Sequence, residues 1–340
     1  MIYKKVSFII FFFIVTITHL WAAENYPNKP INVYVPFAAG GASDALLRQV
    51  SPYMEKELGQ KFRIFTNQNK MKPVEAVRRS SMLKNDGYHL VMGNLGTHGA
   101  APILTGMQLR YDPQEDFVPV GMLGQTPMYV IVRKDLCLIY EKNKCKRLVS
   151  TLEDLDRYIA KHGKTVTMGY AGSGSISHMA AVRFTQLAKE FPTMIPYSGS
   201  TPALIDMSEG FLDVMVDQST SALPYIKGGT VRPLAYTGRG DKKMSVTPYV
   251  PMCQEIQGWS DFNITGWNML FAPQNTPLPI VEKLNLALRN ALKDPVVRGS
   301  LALKNTIIYD DARNRPAFLK DFMRQEIEYW QDILSTSTLE

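Results

Sequence analysis

The chain is poor in the residues that build metal centres. It contains three cysteines and five histidines in 340 residues. His19 lies in an N-terminal apolar segment, which leaves His89, His98, His162 and His178 for the rest of the chain. No H-E-x-x-H motif and no cluster of cysteine with histidine occurs, and the cysteine spacing matches no metal motif. The composition therefore argues against a zinc site, and we predict no bound metal.

Sequence motifs of catalysis and nucleotide binding are also missing. Gly172-Ser173-Gly174-Ser175 has the composition of a serine-hydrolase G-x-S-x-G motif but not its spacing. No lysine follows these glycines as it does in a phosphate-binding loop. Ser177 stands where a dinucleotide-binding motif would need its third glycine. We therefore predict a protein that is not an enzyme and that needs no cofactor.

Positive charge is in slight excess along the chain. The formal net charge is +7, and the one dense basic cluster is Lys142–Arg147. This cluster lacks the interleaved aromatic residues of a nucleic-acid-binding surface. We interpret it as a solvated loop and predict no nucleic-acid partner, although the positive balance is compatible with an anionic ligand.

Residues 1–23 have the pattern of a secretory signal peptide. Lys4 and Lys5 precede the apolar run Val6–Ile17, and Ala22-Ala23 offers small residues for cleavage. The run is short for a membrane span, and an uncleaved anchor is the alternative. Cleavage would lower the net charge from +7 to +5 and leave about 315 residues, enough for two domains or one large one.

The three cysteines are compatible with one disulfide. In an oxidising compartment Cys137 and Cys145 could close a short loop, with Cys253 left over. We expect that pairing, and we interpret Cys253 as a partly buried thiol and not as a nucleophile.

The most informative segment is Val33–Asp44, VYVPFAAGGASD. Its apolar start predicts a strand that ends at Pro36, Gly40-Gly41 predicts a loop, and Ser43 or Asp44 is expected to cap a helix that begins near Ala45. A turn of small residues exposes backbone N–H groups at the positive end of a helix, an arrangement that suits a carboxylate. The alternative is a tight turn between strand and helix with no ligand.

A second segment of the same kind is Thr165–His178, TVTMGYAGSGSISH. A strand-like run leads into Ala171–Ser175, and a helix is expected from about Ile176. Serine hydroxyls in the loop add donors to those of the backbone. His178, like His98 further upstream, follows a turn rich in glycine and serine or threonine, where it could line a cleft, cap a helix or make a structural hydrogen bond.

Strand-like and helix-like segments alternate, which predicts an α/β fold with mostly parallel strands. The expected strands are 31–35, 61–66, 89–93, 129–133, 165–170, 212–217, 232–237 and 269–272. The expected helices are 45–58, 73–84, 152–161, 176–189, 202–207, 279–293, 295–303 and 315–334. Changes of character near 121–127 and 228–232 suggest crossings between two lobes. Both glycine-rich loops would then lie at carboxyl ends of strands and face each other across a cleft.

Several motifs in a shared order resemble the periplasmic receptors of tripartite tricarboxylate transporters, also called Bug-type receptors. They lie at Tyr26–Asp44, Asp86–Pro102, Tyr111–Leu123, Tyr170–Ala181, Ile195–Leu204, Leu212–Gly238 and Phe271–Asn285. The resemblance implies a two-lobed periplasmic-binding-protein fold of type II, the Venus flytrap. With the crossings above, we expect residues 24–122 and 232–340 to form the first lobe and residues 123–231 the second.

The resemblance also implies a monomeric receptor in the periplasm that binds a small organic acid and delivers it to membrane permease subunits. In such receptors the ligand carboxylate is held largely by backbone N–H groups, hydroxyls and ordered water. The loops and motifs together assign the following ligand-binding residues: Phe37, Ala38, Ala39, Gly40, Gly41, Ser43, Asp44, Asn94, Gly96, Thr97, His98, Gly172, Ser173, Gly174, Ser175, His178, Tyr197, Gly199 and Asp217.

The chain departs from the family pattern at three places. Asn67–Ala76 replaces a glycine-rich segment, Ala101 replaces an asparagine, and Leu136–Arg147 is similar to an insertion. These departures bear on the ligand more than on the fold. The alternative function is a periplasmic sensor that presents its ligand-bound form to a signalling partner.

Overall fold

The structure alternates strands with helices, as the sequence predicts. A computed structural model describes residues 25–67, 71–104, 109–188, 190–238 and 246–335. The predicted signal peptide lies outside these residues. Within the described ranges no helix is long and apolar enough to cross a membrane.

The strands are β1 Ile31–Val35, β2 Phe62–Thr66, β3 His89–Asn94, β4 Phe117–Arg133, β5 Cys137–Glu141, β6 Lys144–Leu148, β7 Thr167–Tyr170, β8 Thr193–Pro196, β9 Val214–Gln218, β10 Val231–Tyr236 and β11 Thr265–Pro273. The helices are α1 Ala42–Leu58, α2 Pro73–Ser81, α3 Ala101–Leu104, α4 Leu152–His162, α5 Ile176–Leu187, α6 Ser200–Glu209, α7 Ser219–Lys227, α8 Leu278–Lys293, α9 Pro295–Ala302 and α10 Pro316–Ser335. A π-helical turn, Leu95–Ala100, connects β3 to α3.

The main sheet is mixed, so the expectation of mostly parallel strands is wrong. Its order is β2-β1-β3-β11-β4-β9-β7-β8, with β10 also paired to β4. The pairs of β1 with β2 and β3 and of β7 with β8 and β9 are parallel. All pairs made by β4 and β11 are antiparallel. The parallel strands carry the helix-connected units, and the antiparallel strands join them in the middle of the sheet.

Strand β4 is shared by the two halves of the sheet. Its first part pairs with β11 as far as Pro127, and from Met128 onward it pairs with β9 and β10. The partner change lies between Pro127 and Met128. Strand β10 still pairs with the second part of β4, and β11, the next strand in sequence, pairs with the first part.

Three clusters of buried apolar residues pack the sheet. One lies between β1, β3, α1 and α8, and another packs α6 and α7 against β4 and β9. The third runs along the sheet from Phe271 through Val130 to Phe184, so it spans both parts of β4. The apolar alternation of the strands decides these faces: in β1, Ile31, Val33 and Val35 are buried while the residues between them are partly exposed.

Strands β5 and β6 form a separate two-stranded hairpin. Cys137 and Cys145 are joined by a disulfide across it, as predicted. Its turn residues Lys142 and Asn143 have positive φ angles and are exposed. Cys253 is a buried free thiol, and burial raises its pKa to about 12, so it is poorly suited to act as a nucleophile.

Candidate functional site

The first glycine-rich loop connects β1 to α1 and is held by a carboxylate. Helix α1 begins at Ala42 with Gly41 as N-cap residue, so the expectation that Ser43 or Asp44 would cap it is wrong. Asp44 lies in the first turn, where its carboxylate accepts hydrogen bonds from the Gly40 N–H and Arg48 Nε, each at 2.8 Å. Gly40 has φ +76°, a conformation that favours glycine. This bond fixes the loop against the helix start.

The turn after β3 is fixed by a reciprocal pair of hydrogen bonds. Asn94 Oδ1 accepts from the Thr97 N–H, and Thr97 Oγ1 accepts from the Asn94 N–H, both at 3.1 Å. This is the geometry of a capping box. It brings Gly96 to the surface that faces the second glycine-rich loop.

The second glycine-rich loop connects β7 to α5. Gly172 and Gly174 have φ angles of +93° and +76°. Ser175 caps α5, because its Oγ accepts from the His178 N–H at 3.0 Å. The His178 ring stacks on Tyr170 and its Nδ1 accepts from the Gly174 N–H at 3.3 Å. Burial lowers the pKa of His178 to about 4, so the ring is neutral at pH 7 and acts as this acceptor.

Each glycine-rich loop lies against a segment on the other side of the cleft: the first against Gly199 and Thr201, and the second against Gly96 of the turn after β3. An added Cβ at Gly96 would be 2.2 Å from the carbonyl oxygen of Gly174, and one at Gly199 would be 2.7 Å from the Cβ of Ala38. Thr201 Oγ1 also donates to the Ala39 carbonyl at 2.9 Å. These contacts join the two sides of the cleft, so the structure shows the cleft closed.

A small cavity remains between the loops. Its lining residues are Phe37, Gly41, Ala42, Ser43, Asn94, Ala171, Ser175, Ile176, Ser177, Ser200, Asp217 and Gln218. Its volume of about 10 Å³ is close to the smallest that holds one water molecule. An organic acid therefore needs the two loops to move apart.

Four helices begin at this cavity. Its lining includes the starts of α1 at Gly41–Ser43, of α5 at Ser175–Ser177 and of α6 at Ser200, and Gln218, the residue before α7. The first N–H groups of a helix have no partner within the helix, and its N-terminus carries positive partial charge. Four such ends around one cavity favour an anion without any lysine or arginine in the lining.

Asp217 lies at this cavity and is 1% exposed. Its Oδ1 accepts from Ser200 Oγ at 2.8 Å, and its Oδ2 accepts from Ser221 Oγ at 2.5 Å. Burial raises the pKa of Asp217 to about 6, although these hydrogen bonds act in the opposite direction. The carboxyl group is therefore mostly ionised at pH 7 but close to the range in which it takes up a proton.

Buried amide and hydroxyl groups link the first loop to the middle of the sheet. Ser43 Oγ donates to Asn268 Oδ1 at 2.6 Å, and Asn268 Nδ2 donates to Gln218 Oε1 at 2.7 Å. Thr126 Oγ1 donates to the same Gln218 oxygen at 2.8 Å. The chain of bonds runs from α1 through β11 and β9 to Thr126 of β4, next to the place where β4 changes partners.

The residues assigned from the sequence fall into three groups. Phe37, Gly41, Ser43, Asn94, Ser175 and Asp217 line the cavity. The loop residues Ala38, Ala39, Gly40, Gly96, Gly172, Ser173, Gly174 and Gly199 lie around it, most of them in contact between the two sides. Asp44, Thr97 and His178 hold the loops through hydrogen bonds, and His98 and Tyr197 do not line the cavity. The sequence reading missed Ala42, Ala171, Ile176, Ser177, Ser200 and Gln218.

His98 lies in the core and not at the cavity. Its ring is fully buried and stacks on Phe271 at 4.1 Å, with Phe117 and Tyr111 around it. Burial lowers its pKa to about 3. Tyr197 also points elsewhere, because its hydroxyl donates to Asp206. Among the described residues, no group of three His, Cys, Asp or Glu side chains could hold a metal ion.

Comparisons with known proteins agree with this architecture. The family model of the tripartite tricarboxylate transporter family receptor matches residues 46–337. The UPF0065 protein of the TAR-I ttuE-ttuC' intergenic region of Agrobacterium vitis is 33% identical over 314 residues, which cover 92% of this chain and 86% of that protein.

Solved structures match over nearly the whole chain. MatC from Rhodopseudomonas palustris with bound malate has a TM-score of 0.81 and 32% identity, with 91% of this chain and 99% of that chain covered. The periplasmic binding protein BugD has a TM-score of 0.82 and 26% identity, with 93% and 99% covered. These likenesses confirm the predicted two-lobed periplasmic-binding-protein fold.

Proposed function

This chain belongs to the tripartite tricarboxylate transporter receptor family, and from that premise we propose that it captures a small carboxylate in the cleft between its lobes. The observation that carries the proposal is the cavity at which four helices begin. Their N–H groups and positive ends favour a carboxylate. The malate bound to MatC, at 32% identity, supports the same ligand class.

Capture requires the lobes to move. The cavity volume of about 10 Å³ excludes an organic acid, so the ligand enters an open form and the loops close on it. The hinge lies where β4 changes partners at Pro127 and where β10 returns to β11. In this proposal residues 24–122 and 232–340 form the first lobe and residues 123–231 the second. The pairing of β10 and the packing of Phe184 on Trp259 favour extending the second lobe beyond 231.

Delivery is the second part of the proposal. The receptor works in the periplasm as a monomer, after its signal peptide has been removed, and hands the acid to permease subunits of a tripartite transporter. These points rest on the family and on the N-terminal sequence pattern. They also imply that the protein has no catalytic activity of its own.

A thermal-shift screen on ligand-stripped protein tests the binding function. Mono-, di- and tricarboxylates are compared with neutral metabolites of similar size. A ligand present at one hundred times its Kd stabilises by about 2.7 kcal/mol, which raises the melting temperature of a protein of this size by about 4 °C. We expect such a shift from at least one acid and from no neutral compound. A shift produced by neutral compounds alone would contradict the proposal, and consumption of the bound acid would indicate an enzyme.

A further inference from the structure

The cavity contains a negative charge where an anion is expected to bind. Of the lining residues, all of them within the described ranges, Asp217 alone has an ionisable side chain. No lysine, arginine or histidine of the described residues forms an ion pair with it. Two carboxylates close together in a buried site repel each other strongly. A plain carboxylate beside Asp217 is therefore disfavoured unless something connects the two groups.

The hydrogen bonds of Asp217 indicate what could connect them. An ionised carboxylate offers about four acceptor positions. Ser200 and Ser221 occupy one position on each oxygen. About two acceptor positions are left, on a side chain that lines the cavity. A donor on the ligand would fill one of them.

Two kinds of ligand donor could stand next to a carboxylate, a hydroxyl or an ammonium. The four helix starts around the cavity disfavour a cation, because their ends are positive. A hydroxyl brings a donor without adding positive charge. It also turns the contact with Asp217 from repulsion into a charge-assisted hydrogen bond.

We propose that Asp217 selects acids with a hydroxyl close to the bound carboxylate, such as 2-hydroxy acids, over the corresponding acids that lack it. This inference rests on the proposed function, since it presumes that the cleft binds an acid. A hydrogen bond to a charged group is worth about 1.5–3 kcal/mol, so the hydroxy acid should bind roughly ten to one hundred times more tightly than its deoxy partner.

The test uses pairs of acids that differ by one hydroxyl. Dissociation constants of the mature full-length protein are measured by calorimetry for lactate and propionate, malate and succinate, and citrate and tricarballylate. Aspartate is added as the amino counterpart of malate. In the wild type we expect the hydroxy member of the tightest pair to bind at least about tenfold better, and aspartate to bind less well than malate.

Two variants test whether Asp217 causes the preference for the hydroxy acid. In Asp217→Asn the amide keeps the shape of the carboxyl, can accept from Ser200 and can donate to the Ser221 oxygen, so the fold should persist. We expect the preference for the hydroxy acid to fall to less than about threefold, with binding of the deoxy acid unchanged or improved. Asp294→Asn is the matched control, because Asp294 caps α9 far from the cavity and asparagine caps a helix equally well. It should keep the wild-type preference.

The outcomes separate the inference from the proposed function. If acids bind but the wild type shows no preference for a hydroxyl, or if the preference survives in Asp217→Asn, the role of Asp217 is refuted and the receptor function stands. Tighter binding of aspartate than of malate would also refute the assignment to hydroxy acids. If none of the acids binds, both proposals fail. Should Asp217→Asn not fold, the wild-type ratios alone decide.

Discussion

A methyl group at Gly96 should act as a wedge that prevents closure of the cleft. The added Cβ would lie 2.2 Å from the Gly174 carbonyl oxygen and 2.3 Å from the carbonyl carbon of Ser175. Ordinary contact begins at about 3.4 Å, so the two sides must separate by roughly 1.2 Å at this point. A hydrogen bond of 2.9 Å lengthened by that amount is lost.

The expected loss of affinity follows from the donors of α5. If two charge-assisted bonds are lost, about 3 kcal/mol disappears, which corresponds to roughly one hundredfold weaker binding. Gly96 is not among the residues with positive φ, so alanine should cause no backbone strain. The free protein should therefore keep its melting temperature within about 2 °C.

Calorimetry and small-angle scattering test the wedge. We expect Gly96→Ala to bind the acid found in the screen about one hundredfold more weakly and to lose most of the decrease in radius of gyration that saturating ligand causes in the wild type. Gly99→Ala is the matched control: its added Cβ would contact the flexible end of Leu95 in the same turn. If Gly96→Ala binds and compacts like the wild type, the closed geometry is not the ligand-bound one and the reasoning fails.

Four further results are expected. Ser175→Ala and the control cap variant Thr151→Ala should each lose about 1 kcal/mol of stability. Of the two, only Ser175→Ala should also bind ligand about tenfold more weakly by calorimetry. Equal affinities of the two variants would contradict a role of Ser175 in binding. Thiol labelling of the unfolded protein without reductant should modify Cys253 alone, and labelling of all three cysteines would refute the disulfide. The raised pKa of Asp217 means that its protonated carboxyl stabilises the fold by about 3 kcal/mol below about pH 4, and that this contribution is lost as pH rises through 6. In urea unfolding, the stability of Asp217→Asn relative to the wild type should therefore increase between pH 4 and 8. A difference in stability that does not change with pH would contradict the raised pKa. His98 has the opposite sign: its lowered pKa contributes stability above about pH 6.5 that is lost as pH falls toward 3.

Local sequence signals predicted most elements, because they depend on neighbouring residues. The apolar alternation of β1 and the start of α2 at Pro73 are examples. Strand β4 was predicted only from Tyr129 onward, although it begins at Phe117. Its first part contains glycine and proline residues that lower strand propensity, and pairing with β11 compensates for them. Helix α7 was missed because it begins with Ser219-Thr220-Ser221 and contains Pro224.

The site was predicted where its residues are consecutive in sequence. Both glycine-rich loops lie at the cavity for that reason. Ser200, Gln218 and Asn268 come from three distant segments and meet only in the folded chain. His98 follows a glycine-rich turn like a cleft residue, but the aromatic rings that bury it come from β4 and β11.

Recognition of a carboxylate by helix N-termini is the central claim, and one comparison tests it directly. Calorimetry measures the binding of the preferred acid and of its neutral amide analogue to the ligand-stripped protein at pH 7. Each N–H donor gains about 1.5–3 kcal/mol from a charged acceptor but about 1 kcal/mol from a neutral one. We expect the amide to bind at least about tenfold more weakly. Equal affinity of acid and amide would contradict recognition of the carboxylate by helix N-termini.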